Sequence, residues 1–195
     1  LGEWKTSTIF AVAKINVMNW KENLRKALPY LLSVLFFAAV SYLYFAPEIF
    51  EGKVLFQHDT QQGIAIGQEA KAFKEATGET TRWSNTTFSG MPTFQISPSY
   101  SNNDIIRTIG HIYQLWMSSP ASYLFMMLVG FFIFMLAMGC KWHYAVLGAI
   151  AYTFSSYFFI IIQAGHIWKF ITLAYIPPTL AGIVWAYRGR YLLGG

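Results

Sequence analysis

Residues 27 to 47, 121 to 140, 144 to 165 and 170 to 187 contain no Lys, Arg, Asp or Glu and are filled with Leu, Ile, Phe, Val, Ala and Tyr. A bilayer core of about 30 Å needs roughly 20 mostly apolar helical residues. Four such runs predict an all-α integral membrane chain. The only long polar segment, residues 48 to 119, then becomes a large loop on one membrane face. The expected divisions are a segment at 1–26, span one at 27–47, the loop at 48–119 and span two at 120–140. A turn at 141–143, span three at 144–165, a turn at 166–169, span four at 170–187 and a polar end at 188–195 complete them.

Charge is placed to orient these spans. The formal net charge is +5 and the mean hydropathy +0.39. Lys5, Lys14, Lys21, Arg25 and Lys26 precede span one, Lys141 follows span two, and Arg188 and Arg190 follow span four. The long loop holds seven acids against five bases. By the positive-inside bias, the N-terminus, the Lys141 turn and the C-terminal end face the cytoplasm, and the loop faces out. No basic patch interleaves with aromatics, so a nucleic-acid partner is not expected. Cys140 is the single cysteine, which excludes an intramolecular disulfide and a thiolate cluster; it reads as a small apolar filler. The apolar run at 27–47 is too long for a signal-peptide core and follows more than twenty mixed residues, so a retained span is expected. The chain opens on Leu1 and stops at Gly194-Gly195, as expected for the N-terminal part of a larger protein.

Local signals set finer expectations. Residues 1–26 read as an interfacial or loosely ordered segment. Pro47 is expected to end span one, because the residue before proline disfavours the helical region. Residues 61–77 read as a helix stopped by Gly78. Residues 80–102 are irregular but carry Trp83, Phe88, Met91, Phe94 and Tyr100, which suits packing against the membrane face. Asn103 can cap a helix from about Asp104 to Met117. Its stripe of Ile105, Ile109, Ile112 and Trp116 suits the headgroup plane or the protein's own spans. Pro177-Pro178 should kink or break span four.

Asp59 is the first candidate for chemistry. It follows span one by about a dozen residues, beside His58 and among Gln57, Gln61 and Gln62. It can cap a helix starting near Thr60, serve as a general base, or share a divalent cation with His58. His166, in the Gln163–His166 turn on the same face, and Lys169 could contact a phosphate; the plainer alternative is an interfacial His and a snorkelling Lys. Arg82 offers a planar donor fork for phosphate oxygens, or is simply solvated. His111 and His143 are weaker candidates. Asn85-Thr86-Thr87 has the form of a glycosylation sequon, which carries weight only in a eukaryotic lumen.

In order and spacing, several stretches resemble a bacterial YfhO-family membrane protein. They are Phe45-Ala46-Pro47, Glu51-Gly52-Lys53-Val54-Leu55-Phe56-Gln57-His58-Asp59, Trp83-Ser84-Asn85, Phe88-Ser89-Gly90-Met91-Pro92, Phe154-Ser155-Ser156-Tyr157-Phe158, Ala164-Gly165-His166 and Tyr187-Arg188-Gly189-Arg190-Tyr191. The resemblance extends over nearly everything from residue 28 onward. That family is similar to GT-C glycosyltransferases, integral enzymes using a polyprenyl-phosphate sugar as donor. The resemblance implies a GT-C-like N-terminal part with Asp59 as base on, or orienter of, an acceptor hydroxyl. It implies transfer to an extracytoplasmic glycan, lipid or other cell-envelope acceptor, with inversion at the sugar carbon. His58, Arg82, His166 and Lys169 are the implied phosphate or substrate contacts. Thr60 stands where many GT-C members have a second acid, so no obligatory metal is expected; a divalent cation is the alternative. The donor-lipid groove would be completed by later spans. The rival expectation is a transporter or lipid-handling protein without catalysis, for which Pro177-Pro178 would mark a cavity. No span holds the charged residue that ion-coupled transport usually needs.

Overall fold

The computed structural model describes residues 3–95 and 104–194, with side chains considered from Trp20 onward. The described residues are predominantly helical, with two short strands. Helix α1 (Glu3–Tyr44) is a single 42-residue helix with Pro29 inside it. The expected break between a loose N-terminal segment and span one is therefore absent. Only one donor is lost at Pro29, and residues with good helical propensity, Lys26-Ala27-Leu28 before it and Leu31-Leu32 after it, carry the helix on either side. The apolar part, Trp20–Tyr44, is long enough to cross a bilayer. Pro47 does not terminate α1. The chain turns at Phe45, and Pro47 sits in the first turn of α2 (Ala46–Phe50), where a missing N–H costs nothing.

An outer module follows. The expected helix at 61–77 is two helices, α3 (His58–Ile66) and α4 (Gln68–Thr77), joined at Gly67. Gly78 ends α4 in the left-handed conformation, φ +76°, with its N–H on the Lys74 carbonyl. Strands β1 (Trp83–Ser84) and β2 (Met91–Pro92) then pair antiparallel, Trp83 opposite Pro92. Gly90 lies under the Trp83 ring, where a Cβ would come within 2.9 Å of Cζ2. Phe88 and Phe94 stay exposed. Helix α5 (Asp104–Tyr113) is shorter than expected, because Leu115 and Trp116 take positive φ and turn the chain out of the helix. Its expected cap Asn103, and Tyr100, lie outside the described residues.

The bundle is built on α6 (Ala121–Ala137). Five consecutive residues, Leu124 to Leu128, are buried, which on a helix means burial on every face. α6 packs on α1, on α7 (Trp142–Thr153) and on α9 (Ile167–Tyr187). Apolar helices gain nothing from burying carbon against carbon inside lipid, so close approach of backbones has to hold them together. The contacts are small accordingly. Ala145 and Ala149 are buried on α7, and Gly130 of α6 faces the Ala174 carbonyl and Pro178 of α9. Phe37 of α1 meets Phe132 of α6 edge to face at 5.4 Å.

Among the described residues, two candidate spans meet length and hydropathy together: Trp20–Tyr44 and α9. α7 and α8 (Ser156–Ala164) pass as a pair bent by 48° at Phe154-Ser155, so the third run is not one straight helix. α6, at 17 residues, is about 25 Å long.

α9 contains the proline pair yet runs unbroken from Ile167 to Tyr187. A proline at position 178 leaves the carbonyl four residues earlier, Ala174, without its helical donor. The Tyr113 hydroxyl at the end of α5 lies 3.0 Å from that carbonyl and 2.7 Å from the Met126 carbonyl of α6. One O–H can serve only one of them at a time. A freed backbone group has thus been given a partner from another element, and the helix continues without a break.

The ends of the bundle differ. At one, the Arg188 guanidinium donates to the Ala137 carbonyl at the close of α6. Leu28 and Pro29 share an apolar groove there with Trp142 and Val146, so Lys26, Lys141 and Arg188 gather at the same end. The opposite end bears the Gly165 turn and the outer module. α10 (Tyr191–Gly194) folds back along α9, its Gly194 against Gly182.

Candidate functional site

The turn between α8 and α9 and the start of α3 are more than a hundred residues apart in sequence and dock on each other. Gly165 ends α8 at φ +94°, a conformation that disfavours a Cβ. A Cβ there would also come within 3.0 Å of the Thr60 backbone nitrogen and 3.2 Å of the Gln57 Cβ. Gly165 therefore serves both the turn and the close approach. The Gln57 amide donates to the Ile162 carbonyl at the end of α8, and its own oxygen accepts from the Thr60 hydroxyl at 2.9 Å. Gln57 and Thr60 of one segment are thus docked on one turn.

Asp59 and His166 are brought together by that docking. His166 Nδ1 lies 2.9 Å from Asp59 Oδ2, with both side chains about half exposed. Asp59 stands in the first turn of α3, which begins at His58, ahead of the expected start near Thr60, and its carboxylate faces His166 instead of capping the helix. An Nδ1–H donated to the carboxylate fixes the imidazole orientation and leaves Nε2 with a free lone pair facing outward. That is the arrangement of a carboxylate-supported base.

The other candidates are placed apart from this pair. His58, adjacent on the helix, cannot face the same way as Asp59; its ring meets Phe56 edge-on at 5.3 Å. Lys169, in the first turn of α9, holds its ammonium 5.7 Å from the centre of the Tyr157 ring. Arg82 is exposed on the strand β1 side, where its carbonyl accepts from the Thr93 N–H at 3.0 Å. Among the described residues, no three His, Cys, Asp or Glu side chains come together as a metal-ligand group.

Glu69 was not a candidate from sequence, where it reads as one more helix-surface acid. In α4 its carboxylate collects the Ser84 hydroxyl at 2.6 Å, the Asn85 N–H at 3.0 Å, the Thr86 N–H at 3.1 Å and the Thr86 hydroxyl at 2.8 Å. The hydroxyl of Ser84, then the Asn85 N–H and the Thr86 hydroxyl, hold its pKa down at about 2. This carboxylate pins the β-hairpin to α4. The Ser84-Asn85-Thr86 donors in one short run were the available signal, since three close donors seek a common acceptor. Glu48, just past α1, is a second acid of note: its Oε2 is enclosed without a hydrogen-bond partner.

Between α3, α4 and the hairpin lies a cleft of about 650 Å³. Thr60, the neighbour of Asp59, stands at its wall together with Lys71, Lys74, Thr80 and Thr81. No family model, curated protein or solved structure matches this chain.

Proposed function

We propose that this is a multispanning, glycosyltransferase-like membrane protein of the YfhO type. It transfers a sugar from a polyprenyl-phosphate donor to an extracytoplasmic cell-envelope acceptor. In this reading the four apolar segments, with α7 and α8 as one bent span, cross the bacterial cytoplasmic membrane with the N-terminus inside. The gathering of Lys26, Lys141 and Arg188 at one end of the bundle supports that orientation. The loop with Asp59 then lies outside, at the opposite end.

The observation that carries the proposal is the Asp59–His166 contact at the mouth of α8 and α9. The acceptor hydroxyl gives its proton to this pair as its oxygen attacks the anomeric carbon of the donor. The bond from that carbon to the phosphate oxygen breaks, and the lipid phosphate leaves with the bonding electrons. Asp59 holds the imidazole through Nδ1 while Nε2, or the second carboxylate oxygen, takes the proton. Lys169 lies on the first turn of α9, where a helix N-terminus and an ammonium both favour a phosphate. A divalent cation is not required by this scheme.

The test is sugar transfer in membranes carrying the protein, supplied with labelled polyprenyl-phosphate sugars. Asp59→Asn and His166→Ala should each lower transfer by about 10²- to 10⁴-fold while donor binding persists. Unchanged transfer in both variants removes the pair from the chemistry. Donor uptake without any glycosylated product favours the lipid-handling alternative.

A further inference from the structure

The groove that α1 and α7 share at the basic end of the bundle has no part in the scheme above. Leu28, Pro29, Leu32 and Phe36 of α1 form one wall and Trp142 and Val146 of α7 the other, around about 300 Å³. Ser33 also lines it, but its hydroxyl donates to the Pro29 carbonyl at 2.7 Å, so no side chain there asks for a polar ligand. Leu28, Leu32, Phe36 and Trp142 are exposed, so the described residues leave the groove unfilled. From Leu28 to Phe36 it follows α1 for about 12 Å. A partner helix crossing the bilayer needs a face of about 30 Å, whereas a slot this short matches the depth of one leaflet.

The mouth of the groove is positive. Arg25 stands three, four and seven residues before Leu28, Pro29 and Leu32, so it continues their face of α1 toward the bundle end. Lys21 lies one turn further back, and Lys141 immediately precedes Trp142 at the start of α7. All three are exposed, and among the described residues none has an ion-pair partner. Glu22 is the only acid between Trp20 and Tyr44 and is paired with Lys26 at 2.7 Å; α7 has none. Trp142 and Tyr144, both exposed beside Lys141, are the amphipathic rings found at the level of lipid headgroups.

We propose that this groove binds an anionic glycerophospholipid from the leaflet at the basic end. One acyl chain lies along Leu28 to Phe36 and against Trp142 and Val146. The phosphodiester sits at Arg25, whose planar fork of donors suits two phosphate oxygens, and Lys141 closes on it from α7. Charge complementarity and the one-leaflet length of the slot together select a lipid over a second helix. The site lies at the end of the bundle away from Asp59 and His166, so it stands or falls apart from the glycosyltransferase reading.

The experiment uses the full chain in phosphatidylcholine nanodiscs doped with phosphatidylglycerol that carries a photoreactive diazirine on one acyl chain. A parallel sample carries the same diazirine on phosphatidylcholine at equal mole fraction, and adducts are mapped by peptide mass spectrometry. Phosphatidylglycerol should label residues 28–36 and 142–146 more than phosphatidylcholine does, by about fivefold for each basic residue engaged. R25Q/K141Q should bring that labelling down to the phosphatidylcholine level, with labelling elsewhere on the bundle and the thermal transition unchanged. Asp59→Asn should label as the parent does, whether or not it transfers sugar. Equal labelling by the two lipids in the parent overturns the proposal, as does an undiminished preference in R25Q/K141Q. Groove labelling that disappears when two copies share one disc shows a second copy as the occupant and overturns it as well.

Discussion

The bundle around α6 and the outer module of α3, α4 and the hairpin are held by opposite means. In the bundle, Leu124 to Leu128 are enclosed on all sides, and helices approach at Gly130, Ala145 and Ala149. Neither α3 nor α4 has a buried residue, and the hairpin is fixed to α4 through the one carboxylate of Glu69. Tight packing tolerates little change in volume, whereas a polar network tolerates volume but not loss of charge. The proposed base sits on the seam, with Asp59 on the polar module and His166 on the turn between two bundle helices.

The contrast can be broken most forcefully at Gly130. A Cβ there would lie 2.9 Å from the Ala174 carbonyl and would collide with the Tyr113 hydroxyl. Gly130→Ala should destabilise the bundle by about 1–3 kcal/mol, less the fraction of a kcal/mol that Ala regains as a better helix former. Unfolding in mixed micelles measures it, and a neutral or stabilising result would show that α6 and α9 are not in close contact. Tyr113→Phe comes next. It removes the donor that meets the carbonyl freed by Pro178 and should cost about 1 kcal/mol in the same assay. Restoring an ordinary residue at position 178 should then suppress most of that loss.

The outer module should respond locally. Glu69→Gln should speed hydrogen exchange at the Asn85 and Thr86 amides while the bundle transition stays put. Acid provides a finer version of the same test. Because the folded-state pKa of Glu69 is depressed from 4.5 to about 2, its contribution is fully present above about pH 4.5 and is lost as pH falls towards 2. Exchange at those two amides should rise through that window, and in Glu69→Gln it should not. A flat profile in the parent would mean that the hairpin is held by something else.

Local chemistry explains why some features were legible beforehand and others were not. Gly78 ends α4 as expected, because a left-handed stop is a property of the residue. Asp59 and His166 were each singled out, but nothing in their separate surroundings required them to touch. The pairing came from Gly165 allowing Thr60 to approach. The double proline carried a signal for a kink or a break; no break occurs, and Tyr113, the donor that meets one freed carbonyl, lies in another helix. Asp59 read equally as a cap, and Glu69 as an acid facing water, until their partners were placed.

The sequence alone determined the apolar helices, their charged ends and the separation of the polar segment from the apolar runs. Those follow from the length of uncharged runs and from the cost of moving charge into hydrocarbon. Tertiary structure alone decided that α9 continues unbroken through two prolines, that α7 and α8 bend apart, and that an acid and an imidazole share a hydrogen bond. Each of these depends on a contact between residues distant in the chain, and such contacts leave no local imprint on either partner.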